Sequence, residues 1–276
     1  MLNMVSLLMI SIPVGFLGSL TGLGGASILI PLLVLLGIPV KEAIACGMVT
    51  IIATSSGSAS SYVREKIANV KMAMYLEMFT TVGAITGATI TTFISPVYLY
   101  FFFVAFLSTS FFKSEKPNRD PVSSEESQDK ASRWLSLHGS YFDEADQKVI
   151  SYRVQNALLG GGGMMVAGLA AGMLGIGAGA FKVTVQEKIL KLPAKVASTT
   201  SNFIIGMTAL AGTSVYLYSG LLNLTLIGPM AVGTTIGALA GGRVLNKLSY
   251  QTLQILFFVI IIFLIGQMIY KGIISL

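Results

Sequence analysis

The sequence has few charged residues: 11% of its 276 positions are Asp, Glu, Lys or Arg, whereas 54% are hydrophobic. Because ordinary soluble domains carry roughly 25% charged residues, this composition excludes a typical soluble fold. The single cysteine, Cys46, excludes an internal disulfide framework. The single histidine, His138, lies in a polar stretch and there is no HExxH motif. We therefore predict no catalytic metal site and no cofactor.

Apolar stretches of about 20 residues, the length that crosses a bilayer, recur along the chain. They predict an integral protein of the inner or plasma membrane with many passes. The first stretch lacks a basic n-region, so we expect it to remain in the mature protein. Membrane topology explains the net charge of +6 better than nucleic acid binding does. The stretches are 43–62, 72–94, 196–218, 222–242 and 251–270, with shorter or less continuous ones at 4–20, 97–112 and 154–174.

A long polar stretch divides the chain. Residues 113–152 mix prolines, serines and charges of both signs, and we predict that they form a cytoplasmic linker. The flanking parts, 1–112 and 153–276, are predicted to be two membrane repeats. A shift of 154 positions matches Pro39, Lys41, Ala43, Ile51, Thr54, Ser60, Tyr62, Asn69 and the block 80–84 to equivalents in the second part, and a shift of 153 matches Gly15, Gly22 and Gly24 to Gly168, Gly175 and Gly177.

The distribution of basic residues indicates that the second repeat is inverted. Positive charge marks the cytoplasmic side of a membrane protein, and the basic loops occupy different positions in the two halves. We therefore predict an all-α fold of two inverted structural repeats, each with a broken re-entrant helix pair plus three transmembrane helices, as in many secondary transporters. The basic residues are Arg64, Lys66 and Lys71 in the first half, and Lys188, Lys191, Lys195, Arg243 and Lys247 in the second.

Glycine-rich segments interrupt the first apolar stretch of each half. Glycine lets the backbone approach a ligand closely, and a helix that starts at such a break points its free N–H groups and positive dipole end at the membrane interior. The breaks therefore predict an anion site. The alternative is close helix packing through small residues. The glycines in question are Gly22, Gly24 and Gly25 in the first half, and Gly175, Gly177 and Gly179 in the second.

Lys182 follows the second break by three residues, in a segment that otherwise starts as a membrane helix. Because an unpaired ammonium is unfavourable there, we expect it to face a cavity, a carboxylate or a bound anion. Gln186 is one turn further on and shares its face. The alternative is that Lys182 extends to the cytoplasmic surface beside Glu187 and Lys188.

Three further groups are candidates. Thr200, Ser201 and Asn202 form a polar patch that either caps a helix or binds substrate oxygens. Cys46 occupies the position of Thr200 in the first half, as a small buried residue or a reactive thiol. Glu77 is the acid inside an apolar segment, and it either couples to protons, pairs with a lysine or reaches the interface.

The combination of these features resembles the TauE/SafE, or sulfite exporter, family of membrane transporters over nearly the whole chain. The second copy of the pattern runs through Gly-Ile-Gly-Ala-Gly-Ala-Phe-Lys at 175–182, Leu-Pro-Ala-Lys-Val at 192–196 and Thr-Thr-Ser-Asn-Phe at 199–203. The linker end at 138–144 is similar as well. The first copy departs from the pattern, with Cys46 and Gly47 where Thr-Ser is expected, so equal use of both halves is not implied.

The resemblance implies transport of sulfite, a sulfonate, thiosulfate or a related anion, and it implies that the two glycine breaks, Lys182 and the patch 200–202 form the binding site. The repeat adds the hypothesis of alternating access around a midplane site. We expect a small anion and the lipid bilayer as partners, a proton as the candidate coupling ion and a homodimer as the candidate assembly, with no nucleic acid. The alternatives are a passive anion channel and an intramembrane hydrolase with a Ser201–Lys182 dyad.

Overall fold

A computed structural model describes residues 4–21, 25–64, 69–109, 129–143, 148–245 and 250–274. Within these ranges the chain is mainly helical, as predicted. The helices of the first half are α1 (Met4–Thr21), α2 (Gly25–Leu35), α3 (Val40–Arg64), α4 (Val70–Phe93) and α5 (Pro96–Thr109). Those of the second are α7 (Ala157–Leu174), α8 (Gly179–Lys188), α9 (Ala194–Tyr218), α10 (Leu224–Leu245) and α11 (Tyr250–Ile274).

Proline and glycine set several of the helix ends. Pro193 precedes α9 and Pro96 is the first residue of α5, where the missing N–H of proline breaks no helical hydrogen bond. Gly175 ends α7 in the left-handed conformation, with φ 67°, which glycine adopts without steric strain. In each half, two helices (α1 and α2, or α7 and α8) are followed by three more.

The end of the linker is folded, which the sequence analysis did not predict. A short helix, α6 (Lys130–Trp134), precedes two antiparallel strands, β1 (His138–Asp143) and β2 (Lys148–Arg153), which pair from His138 opposite Arg153 to Asp143 opposite Lys148. Tyr141 and Tyr152 are buried and belong to an apolar cluster with residues of α4 and α9. This hairpin therefore packs onto the helical part of the protein.

Two polar side chains attach the folded linker end to helix starts. Asn69 caps α4 by accepting from the Met72 N–H at 3.1 Å, and its amide donates to the His138 carbonyl of β1 at 3.0 Å. Asp129 accepts from Ser132 in α6 and, at 3.5 Å, from the Ala157 N–H that opens α7. Desolvation raises the pKa of Asp129, but these hydrogen bonds outweigh it and leave the pKa below its usual value.

Glycines let two pairs of helices approach backbone to backbone. In α7, a Cβ added at Gly168 would fall closer than 3.0 Å to backbone atoms of Thr80 in α4. In α1, a Cβ at Gly15 would fall equally close to the backbone of Thr234 in α10. Gly15 and Thr80 are the repeat equivalents of Gly168 and Thr234, so the same contact occurs twice with the halves exchanged. The pairs α4–α7 and α1–α10 each combine one helix from either half.

The outer surface carries many exposed apolar side chains. Along α4 the exposed residues Met74, Met78, Val82 and Ile85 lie on one face at helical spacing. Exposed apolar patches of this extent mark contact with a partner or a membrane. Judged by length and composition alone, α7 is the described helix that is long and apolar enough to cross a membrane. Shorter apolar helical segments lie at Met4–Leu17, Gly25–Leu35, Pro96–Ser108, Leu224–Ala240 and Ile262–Ile274.

We predict that Gly168→Ala destabilises the protein by about 1–3 kcal/mol, because the added methyl overpacks the α4–α7 contact. Gly162→Ala is the matched control on the same helix, since a Cβ there meets nothing within 4 Å. The midpoint of thermal unfolding in detergent should fall for Gly168→Ala and stay level or rise for Gly162→Ala. Equal midpoints for the two variants would contradict the close contact.

Candidate functional site

The second glycine segment is a break between two helices. Gly175 and Gly177 have φ of 67° and 72°, and Ala178 has φ 51° although it carries a side chain. Left-handed backbone is unfavourable for alanine by roughly 1–2 kcal/mol, so the surrounding packing holds this conformation. Helix α8 starts at Gly179, directly after Ala178. The predicted interruption is present in this half.

Lys182 is completely buried, with 0% of its surface exposed. Its ammonium donates to the hydroxyl of Thr208, in the middle of α9, at 2.7 Å. The side chain therefore points into the protein, and the alternative that it extends to the cytoplasmic surface is not what the structure shows.

Glu77 of α4 is the acid that balances this charge. It is 5% exposed, and the Thr208 hydroxyl lies 3.0 and 3.2 Å from its two carboxylate oxygens. The hydroxyls of Thr80 and Thr81 donate to the same carboxylate at 2.7 and 2.9 Å. The Thr208 hydroxyl thus stands between an ammonium and a carboxylate.

The pairing of Lys182 with Glu77 follows from the unfavourable free energy of burying a single charge. Moving an isolated charge out of water is unfavourable by several kcal/mol, and attraction between opposite charges together with hydrogen bonds offsets this. Lys182 and Glu77 come from α8 and α4, and both reach Thr208 of α9. This geometry fits the alternative in which Glu77 pairs with a lysine, and the burial of Glu77 does not fit the alternative in which it reaches the interface.

Two buried polar side chains, one on α8 and one on α9, have no partner among the described residues. Gln186, on the same face of α8 as Lys182, is fully buried, and neither its amide nitrogen nor its amide oxygen makes a hydrogen bond. The Thr200 hydroxyl of α9 is also buried and unpaired. Buried polar groups are normally satisfied, so these atoms are available to a polar ligand.

The other predicted residues of this half lie close by. The Ser201 hydroxyl donates to the Gly179 carbonyl at 3.3 Å, which joins the polar patch of α9 to the start of α8. Asn202 is partly buried. Ser201 and Lys182 thus bond to different partners, an arrangement that does not match a Ser–Lys dyad.

Besides Glu77, the structure describes two predicted residues of the first half, Gly25 and Cys46. Gly25 starts α2, and a Cβ there would lie 3.7 Å from the Cα of Gly15 in α1. Cys46 is buried in α3, between two residues that approach the second glycine break: a Cβ added at Gly175 would lie 2.6 Å from the Ile44 carbonyl oxygen, and one added at Gly47 would lie 3.0 Å from the Gly175 carbonyl oxygen. Gly22 and Gly24 lie outside the described residues.

The charged pair has no charged counterpart at the repeat-equivalent positions. Under the shift of 154, Lys182 corresponds to Ile28, Glu77 to Ala231 and Thr208 to Thr54. The Thr54 hydroxyl donates to carbonyls of its own helix, at 3.0 and 3.2 Å. The repeat-equivalent positions therefore carry no charge, and the first copy of the pattern also departs at Cys46.

Sequence reasoning did not identify Thr208, Thr80 or Thr81 as site residues. Thr208 follows Ser201 by seven residues, two helical turns, so helical periodicity places the two on one face of α9. Thr80 and Thr81 follow Glu77 by three and four residues, where helix neighbours meet. These spacings were the available signal. Among the described residues, no group of three or more His, Cys, Asp or Glu is placed to hold a metal ion.

Comparison with known proteins gives consistent matches over nearly the whole chain. The family described as Sulfite exporter TauE/SafE matches residues 7–268. "Probable membrane transporter protein YunE" of Bacillus subtilis (strain 168) is 25% identical over 283 residues, covering 99% of this chain and 100% of that protein. "Probable membrane transporter protein YdhB" of the same organism is 25% identical over 263 residues, covering 92% and 94%. No solved structure matches the chain.

We predict that Thr208→Val lowers the free energy of unfolding by about 1–3 kcal/mol, because the buried ammonium and carboxylate lose the hydroxyl between them. Thr54→Val is the matched control at the repeat-equivalent position, where the hydroxyl bonds only within its helix. Thermal unfolding in detergent measures both variants. A Thr208→Val midpoint no lower than that of Thr54→Val would contradict the bridging role.

Proposed function

Because this chain belongs to the sulfite exporter TauE/SafE family of membrane transporters, we propose that it is a secondary transporter that moves a small oxyanion, such as sulfite, a sulfonate or thiosulfate, with Lys182 as the anion-binding cation. The family resemblance noted from the sequence is confirmed, and with it a membrane location. A plasma-membrane location with the linker in the cytoplasm follows the distribution of positive charge. The expected homodimer stays a prediction.

The observation that carries the proposal is the burial of Lys182 directly after a helix break. Its ammonium supplies the positive charge, and the unpaired amide of Gln186 and hydroxyl of Thr200 supply hydrogen-bond donors. Oxyanions are bound through such a combination of charge and several donors. The start of α8 at Gly179 adds free backbone N–H groups and the positive end of a helix dipole.

We further propose alternating access between two bodies that differ from the two sequence halves. The glycine-packed pairs α1–α10 and α4–α7 each contain one helix from either repeat. Close backbone contact makes each pair a natural rigid unit, and α3 and α9 pack together between them. Inverted repeats favour this kind of motion in secondary transporters. Glu77 on α4 and Lys182 on α8 would separate or approach as the pairs move.

The alternatives receive less support. The hydrolase requires Ser201 to be activated by Lys182, whereas the two bond to Gly179 and Thr208 respectively. A passive channel does not require a buried charge pair. A carrier can use such a pair, because each charge can exchange its partner for a bound ion during the transport cycle. Conductance in planar bilayers would identify a channel, and saturable flux without it a carrier.

We predict that Lys182→Met abolishes anion uptake into proteoliposomes, because the remaining Glu77 charge repels the anion. Uptake is measured for sulfite, methanesulfonate, thiosulfate and acetate. Lys188→Met is the control, since Lys188 is an exposed lysine at the end of the same helix. It should transport as the wild type does.

A Lys182→Met protein retains a buried unpaired carboxylate and is expected to be less stable. The doubly neutral variant Lys182→Met/Glu77→Gln removes that difficulty and should also be inactive. Undiminished flux by either variant, at matched reconstitution, would remove Lys182 from the mechanism. Absence of flux for the whole panel in the wild type would contradict the proposed function itself.

A further inference from the structure

We propose that Glu77 couples transport to protons: one proton binds Glu77 for each monovalent anion that binds Lys182, and the two cross the membrane together. This inference rests on the proposed anion transport and names its coupling ion. It starts from the geometry of the buried pair, in which Thr208 accepts from Lys182 at 2.7 Å and lies 3.0 Å from a Glu77 oxygen.

The charged surroundings of Glu77 are simple. Helix α7, which packs closely against α4, contains no ionisable residue. Among the described residues, Lys182 is the charged group that shares a hydrogen-bond partner with Glu77. Among the side chains that the structure describes, the other ionisable residues on α4 and on the helices packed against it or against Lys182 lie near helix ends or bond elsewhere: Lys71 and Tyr75 on α4, Glu187 and Lys188 on α8, Lys195, Tyr216 and Tyr218 on α9, and Lys41 and Glu42 on α3. The Cys46 thiol of α3 is buried in the apolar core.

Without a ligand, the ammonium and the carboxylate balance to zero net charge in a buried site. An anion that binds Lys182 would add a negative charge next to Glu77, where burial makes like-charge repulsion strong. A proton on Glu77 restores neutrality and leaves Lys182 and the anion as the charge pair. Anion and proton therefore favour each other's binding, and by linkage the effect is reciprocal.

The hydroxyls around Glu77 can rearrange their hydrogen bonds when the carboxylate takes up a proton. A proton entering from water forms an O–H bond to one carboxylate oxygen. The Thr208 hydroxyl can then turn to the carbonyl of Ile204, 2.9 Å away, instead of the carboxylate. Thr80 likewise has carbonyls within reach, at 3.1 and 3.3 Å. An N–H of the Lys182 ammonium bonds to the anion, and on the far side both steps reverse, so that proton and anion leave unchanged.

The proposal makes an electrical prediction. The empty site and the site loaded with a proton and a monovalent anion are both neutral, so the wild-type cycle moves no net charge. In Glu77→Gln the carboxylate is replaced by a neutral amide, so the loaded site holds the anion without a proton. Each cycle of this variant moves one negative charge and no proton.

The experiment uses full-length protein in proteoliposomes that contain a pH-sensitive dye, with methanesulfonate as the probe because it stays monovalent over the working pH range. In the wild type, methanesulfonate entry should acidify the lumen, ignore an imposed potassium–valinomycin potential, and reach an accumulation that rises about tenfold per unit of pH difference. Glu77→Gln should lose the acidification and become sensitive to the potential. Glu42→Gln, which alters a partly exposed acid on α3, should match the wild type.

Each outcome decides a different question. Wild-type methanesulfonate flux without acidification, or flux driven by the potential, would overturn the coupling and leave anion transport standing. Absence of wild-type methanesulfonate flux would contradict transport of sulfonates and overturn the coupling with it. If Glu77→Gln fails to reconstitute, the wild-type dye and potential measurements still decide the proposal.

Discussion

The hydrogen-bond chain from Lys182 through Thr208 to Glu77 is the interaction on which the rest of this structure depends. It joins α8, α9 and α4 at one buried point. A charge held away from water needs an opposite charge and hydrogen bonds nearby, so these three helices are constrained to meet there. In the proposed cycle, an arriving anion or proton would change which partner each of these groups prefers.

Glycine packing supplies the frame around this point. The contacts Gly168–Thr80 and Gly15–Thr234 bring α7 onto α4 and α1 onto α10 without intervening side chains. Thr80 belongs to both features, since its backbone lies against Gly168 and its hydroxyl donates to Glu77. The position of the carboxylate is therefore tied to a close helix contact, and movement of the α4–α7 pair would carry Glu77 with it.

The helix break and the buried charge were predictable from residue patterns, whereas the partners of that charge were not. The glycine segment at 175–179 indicated a helix break, and Lys182 in an apolar context indicated a buried charge with a partner. The partner itself was not predictable, because Glu77 is 105 residues earlier in the chain and nothing local joins the two. Thr208 was overlooked because threonine in an apolar helix commonly bonds its own backbone, as Thr54 does.

The two strands β1 and β2 and the difference between the two halves were harder to predict from the sequence. The strands lie in a polar segment, where Tyr141 and Tyr152 gave only a weak apolar signal, and their burial depends on helices distant in sequence. The sequence did not imply equal use of both halves, and the position of Lys182 is Ile28 in the first half while that of Glu77 is Ala231 in the second. The charge pair therefore occurs without a repeat-related counterpart, and it joins Glu77 of the first half to Lys182 of the second.

A double-mutant cycle on Lys182 and Glu77, read by the free energy of unfolding in detergent, tests the central claim most directly. Lys182→Met and Glu77→Gln should each destabilise the protein, because each leaves a buried charge without its partner. The double variant should be more stable than the sum of the single effects predicts, by about 0.5–3 kcal/mol. Effects that add within about 0.5 kcal/mol would show that the two charges do not interact, which contradicts the account.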